Sequence, residues 1–323
     1  MKIKINITKK FMIIFTVVSL LLVGSMVYAS SIYLYNSNDI RYDNTSSSVL
    51  TSATDVQTAL DDLYYAAATY DLTAGNYGFH NSIFRGKDVT EYLTSEYSLY
   101  DRISDGTFTD LYVGDYVVAN GITWRIAGFD MYYNMGYKWD DTSGTNKACF
   151  NHHAVIVPDT NLTTAQMNTT DTTDGGYAGS AMYTTTLPTV LSTYITPVFG
   201  EHVLTYRNIL TNSVYTGMYN RFGTSTGGVT GWTWYISSLN LMNESQVFGS
   251  VVWSGHFLGA GTEKVQFPLF RLKPEFINKS RSWYWLRIIT NSSNFASVGI
   301  DGGIDGTSGA SASGGVRPYF YIG

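Results

Sequence analysis

A single cysteine, Cys149, among 323 residues rules out an intrachain disulfide. Secreted animal domains of this size commonly carry paired cysteines, so the composition fits disulfide-free bacterial export. No cysteine stands near Ala29 to accept a lipid. Charge is equally scarce, at 14% Asp, Glu, Lys and Arg, and no basic run occurs. Phosphate backbones are bound by clustered Lys and Arg, which argues against a nucleic-acid partner. The chain also lacks a phosphate-cradling glycine loop and a His-Glu-x-x-His metal motif.

What is present begins with Lys2, Lys4, Lys9 and Lys10, followed by an uncharged apolar run from Phe11 to Ala29. Nineteen helical residues at about 1.5 Å each reach roughly 28 Å, close to the ~30 Å hydrocarbon core of a bilayer. The lysines would stay cytoplasmic and send the rest outward. Val27-Tyr28-Ala29 also fits a small-residue cleavage site. Residues 1–29 therefore read either as a cleaved signal peptide or as an anchor that holds the membrane through residues 11–29. Both place the remainder outside the cytoplasm, in a cell of Gram-positive type. The leader holds four of the 20 basic residues and none of the 25 acidic ones, so the rest carries 16 against 25, a net charge of −9.

Residues 30–53 are rich in Ser, Asn and Thr and read as a polar linker. An amphipathic stem helix is expected over 54–68. Thr54 and Gln57 form a capping-box pattern, and Val56, Leu60, Leu63, Tyr64 and Ala67 share one face. That face needs a partner, either the main domain or copies of itself in a homo-oligomer. Residues 69–107 are expected as a connector.

Beyond that the pattern turns to short strands. Tyr112–Ala119 and Ile122–Phe129 flank Asn120-Gly121, the strongest short hairpin signal. Residues 138–181 read mostly as loops, and a helix is expected from Leu187 to Phe199 with Val190, Leu191, Tyr194 and Ile195 on one face. Further strands are expected at Val203-Leu204, Trp232–Ile236, Val247–Val252, Trp283–Thr290 and Val316–Ile322. The fold class is α+β, a β-rich head with short helices and long loops.

Several stretches carry a resemblance. Ala53–Tyr64 resembles the "sVQdAIdeLy" segment of Firmicute surface proteins and phage tail fibres, which implies a stem. Residues 108–323 resemble a domain of unknown function from the same kinds of protein. The matching stretches are Val113–Ile126, Gly175–Met182, Phe199–His202, Leu241–Gly249, Trp283–Arg287 and Gly315–Pro318. That domain in turn is similar to the C-type-lectin-like fold of formylglycine-generating enzymes and of variable proteins from diversity-generating retroelements. The resemblance implies a scaffold presenting a tolerant C-terminal loop. The enzymes of that fold bind copper through a cysteine pair near the C-terminus. The C-terminal half here has no cysteine, so that chemistry does not carry over.

The residues singled out divide into two groups. Trp124, Trp283 and Trp285 read as core, with Arg287 and Arg317 bridging to backbone carbonyls. The polar stretch 291–313 is the expected ligand loop, through Asn291, Ser292, Asn294, Phe295, Asp301 and Asp305, with Trp232 and Trp234 as aromatic platforms. Short hydrogen-bonding side chains beside an aromatic are what adaptable binding surfaces use. Asp301 and Asp305 fall short of the six to eight oxygens calcium takes, and adjacent His152 and His153 suit one metal poorly. No cofactor and no metal are expected. The function expected is an exported, non-enzymatic binder of an extracellular glycan or protein, adhesin-like. The alternatives are a prophage tail-fibre or receptor-binding protein and, third, a hydrolase using two of Glu201, Glu244 and Glu263.

Overall fold

The Asn120-Gly121 signal forms the first hairpin of the computed structural model. Both residues take positive φ, 52° and 75°, as a turn matching the twist of its flanking strands requires. β1 (Tyr116–Ala119) and β2 (Ile122–Phe129) pair antiparallel, with Ala119 opposite Ile122 and Val117 opposite Trp124. The chain falls into two compact units, Met1–Ala68 and Thr69–Gly323. The structure describes residues 79–134, 149, 151–214, 229–253 and 265–323. The apolar run 11–29, the linker 30–53 and the stem helix 54–68 lie outside the described residues. Among the described residues no helix is long and apolar enough to cross a membrane.

The described part is an α+β fold built on two five-stranded sheets. The first adds β3 (Ala154–Pro158), β12 (Pro318–Ile322) and β7 (Asn240–Leu241) in the order β1-β2-β3-β12-β7, all antiparallel. The second comprises β4 (Thr163–Ala165), β8 (Tyr284–Ile289), β9 (Asn294–Val298), β10 (Ile304–Gly309) and β11 (Gly314–Val316), in the order β10-β9-β8-β11-β4. Here only β11 and β8 run parallel. A separate ribbon pairs β5 (Tyr206–Val214) with β6 (Val229–Ser237).

Every position of β3, β8 and β12 is buried. These strands are covered on both faces, which explains a sequence that is apolar or aromatic but for Arg287. Trp124 packs edge-on against Phe199 and Phe320 at 5.6 and 5.7 Å. Trp283 and Trp285 meet edge to face at 5.1 Å. The closing strands approach these rings so tightly that only glycine fits. A Cβ at Gly314 would run into the Trp283 ring and lie 2.6 Å from Trp285 Nε1, and one at Gly315 would lie 2.6 Å from the Trp283 carbonyl.

Among the described residues, besides short 3-10 turns, five helices punctuate the sheets: α1 (Phe79–Ser82), α2 (Leu99–Ser104), α3 (182–199), α4 (Glu244–Phe248) and α5 (Pro268–Leu272). The helix α3 begins five residues before the expected Leu187. It alternates π-helical segments, Met182–Thr186 and Leu191–Ile195, with α-helical Leu187–Val190 and Thr196–Phe199. Leu187 and Thr196 each donate to a carbonyl five residues back, and each stands directly before a proline, Pro188 or Pro197. A proline ring collides with the carbonyl of an α-helical turn; a π turn widens the ladder and admits it.

Five expectations need correction. Val247–Val252 is not a strand: Asn243 and Gln246 form a capping box and open α4. The expected loops at 138–181 contain buried β3, and Val203 makes only an isolated bridge to Ile322. Residues 79–107 are no mere connector, since Val89, Leu99 and Ile103 are buried and Phe84 bridges Val113. The polar stretch 291–313 is not an open loop but mainly the hairpin β9–β10 followed by β11.

Candidate functional site

The hairpin β9–β10 consumes most of the polar groups expected to face a ligand. Asn291 Oδ1 accepts from Ser293 N–H at 2.9 Å, and the Asn291 and Ser292 carbonyls accept from Thr173 Oγ1 and N–H. The Asn294 carbonyl accepts from Thr290 N–H. Asp301 Oδ1 takes Gly303 N–H and Asp305 Oδ1 takes Thr307 N–H and Oγ1, so each carboxylate closes its own turn. Phe295 is fully buried, as is every β9 residue from it to Val298, and is core, not a ligand platform. Trp232 and Trp234 lie on β6, half-buried, with the Arg207 guanidinium 5.4 Å from the Trp234 ring. They belong to the ribbon, whereas Asn291 to Asp305 belong to the second sheet.

A cleft of about 450 Å³ opens elsewhere, on the first sheet. Its walls are Phe84, Arg85 and Gly86, then Tyr116 and Val118 of β1, Thr123 and Arg125 of β2, Asp159 just after β3, and Phe276 and Lys279. The two-residue period of a strand puts Thr123 beside Arg125 and Tyr116 beside Val118 on the same face. Tyr116 stands directly opposite Arg125 in the ladder.

The floor is a buried ion pair. Arg125 Nε and Nη2 donate to the two Asp159 oxygens at 2.7 and 2.6 Å, and Nη1 donates to the Gly114 carbonyl at 2.5 Å. The guanidinium sits between two rings, 4.7 Å from Tyr116 and 4.5 Å from Phe276. Lys279 Nζ adds a second cation to Asp159 Oδ2 at 3.0 Å and lies 5.1 Å from the Phe276 ring. Burial alone would raise the Asp159 carboxyl, but the hydrogen bonds and charges of Arg125 and Lys279 outweigh it and hold it below the usual carboxylate range. Next to this, Arg85 donates to both oxygens of buried Asp115 and to Asp110, which Lys87 also contacts.

Arg317 holds this wall from behind. It is buried, and its Nε, Nη1 and Nη2 donate to the carbonyls of Pro158, Ile277 and Phe276 at 2.8, 2.7 and 3.0 Å. Those carbonyls adjoin Asp159 and Phe276 themselves. Arg287 is also buried and donates to the Tyr319 hydroxyl at 3.3 Å.

Asp130 Oδ2 lies 2.6 Å from His152 Nδ1, an arrangement that orients a general base. Yet Tyr133 stacks on that imidazole at 4.3 Å, and a Cβ at Gly106 would lie 2.7 Å from its Nε2. Cys149 is buried; burial pushes its thiol up to about 11, and Sγ donates to the Asn151 carbonyl. Glu201 is exposed, Glu244 is buried and accepts Trp253 N–H, and Glu263 lies outside the described residues. Gly223-Thr224-Ser225-Thr226-Gly227 spells Gly-x-Ser-x-Gly. That string lies outside the described residues. Among the described residues no three His, Cys, Asp or Glu side chains converge as a metal site needs.

Sequence reasoning missed Arg85, Tyr116, Arg125, Asp159, Phe276 and Lys279. The available signal was Arg125 within an otherwise apolar strand, since a buried charge demands a partner. Compared with protein-family models, curated proteins and solved structures, the chain matches none of them.

Proposed function

We propose that this chain is an exported cell-surface binding protein whose head, of C-type-lectin-like kind, takes an extracellular glycan or protein in the cleft between Phe84 and Lys279. The observation that carries the reading is the Arg125–Asp159 pair, desolvated between Tyr116 and Phe276 at the base of a cleft that opens to solvent. Apolar residues of equal volume often replace a buried ion pair with no loss of stability, so stability alone does not account for it. Fixed charges flanked by aromatic faces orient a ligand. Every oxygen of Asp159 is held by a cation, which favours recognition over acid–base chemistry. The lysine-led apolar run 11–29 supports export, and cell fractionation with and without residues 1–29 checks it.

The test is binding of the full-length chain, in detergent, to a glycan array and to bacterial and host cell surfaces. Val118 is exposed at the rim, so Val118→Trp would fill the cleft without disturbing the core. Loss of binding is the expected result; undiminished binding refutes the cleft as the site.

A further inference from the structure

We infer that the cleft engages one anionic group of its ligand, a carboxylate or a phosphodiester carried on a saccharide or polyol; this rests on the cleft being the binding site. The charge count gives the sign. Arg85 and Lys87 are matched by Asp110 and Asp115. Arg125 and Lys279 share the one charge of Asp159. One positive charge is left over, in a chain whose formal net charge is −5.

The geometry places that surplus on Lys279. All the Arg125 hydrogen-bonding nitrogens are engaged, on Asp159 and Gly114. Lys279 spends one of its three N–H donors on Asp159, and its side chain is 51% exposed. Two donors thus remain on a residue that lines the cleft, and an ammonium takes an oxyanion from many directions. Half-buried Phe84 stands within the same walls, its ring 5.6 Å from that of Phe276, and offers an apolar face to a sugar ring or polyol chain. A cleft of this volume lies within the range that holds small ligands.

The experiment titrates the full-length chain in detergent with three probes at low ionic strength: trigalacturonate, its methyl ester, and a glycerol phosphate trimer. The ester keeps the rings and removes the charge. Binding of trigalacturonate over its ester identifies a carboxylate source, and binding of the glycerol phosphate alone identifies a phosphate source. In either case Lys279→Met is expected to weaken binding about tenfold or more, the size of a lost charge-assisted hydrogen bond. Lys279→Arg is expected to retain most of it, and added salt to weaken the wild type. Equal binding of ester and acid overturns the inference and leaves the cleft reading standing. Binding of neutral array glycans that Val118→Trp abolishes, without binding of either acidic probe, does the same. No binding of any probe overturns it, as does acidic binding unaffected by Lys279→Met.

Discussion

Replacing Arg317 by lysine keeps the charge and removes the fork. The guanidinium reaches carbonyls from two separated segments, Pro158 on one side and Phe276 and Ile277 on the other. A lysine ammonium, a point donor on a narrower stem, reaches one of these segments at best. The substitution therefore strands at least one buried carbonyl and as many as two. Each stranded buried acceptor costs about 1–3 kcal/mol, so one or two of them give an expected loss of about 1–6 kcal/mol. That is a large part of the roughly 5–15 kcal/mol stability of a typical domain. Guanidinium titration followed by tryptophan fluorescence measures it, with the slope checked for constancy. A lower midpoint at unchanged slope is expected, together with weaker ligand binding, because the carbonyls adjoin Asp159 and Phe276. A loss below about 1 kcal/mol would refute the argument that the fork bonds hold the wall.

Three further outcomes follow from the packing. Gly121 has open space around it but φ of 75°, so Gly121→Ala should cost about 1–2 kcal/mol in a thermal melt through backbone strain alone. Gly314→Ala meets the Trp283 ring and Trp285 Nε1 and should cost about 1–3 kcal/mol, with a changed tryptophan spectrum. His153 and His80 are buried, and burial lowers both below their ordinary value despite Asp130 beside His153. The unfolded chain then binds more protons as pH falls through about 6.5, so the melting temperature should drop between pH 7.5 and pH 5. A flat profile over that interval would contradict the neutral, buried imidazoles.

How much of this was legible depended on whether the signal was local. Asn120-Gly121 forces positive φ whatever surrounds it, so the hairpin was readable from two residues. Trp283–Thr290 and Val316–Ile322 were readable as strands because aromatic and β-branched residues crowd there. β3 was missed because Ala154–Pro158 is short and buried on both faces, leaving no alternation to detect. At α4 the cap Asn243–Gln246 outweighed the β-branched Val247, and Val251 and Val252 follow the helix in irregular chain. β10 hid because Ile304–Gly309 is an edge strand of Gly, Asp, Thr and Ser, whose composition is that of a loop. The cleft was the least legible feature. Its residues span positions 84 to 279, and long-range contacts bring them together: the β1–β2 and β2–β3 ladders, the Phe84 bridge to Val113 and the Arg317 bonds.

The most direct test is amide hydrogen exchange on the full-length chain with and without a bound ligand from the array. The cleft reading expects new protection at 84–86, 116–118, 159 and 276–279. Protection confined to 291–313 or to 232–234, with the cleft unchanged, would contradict it.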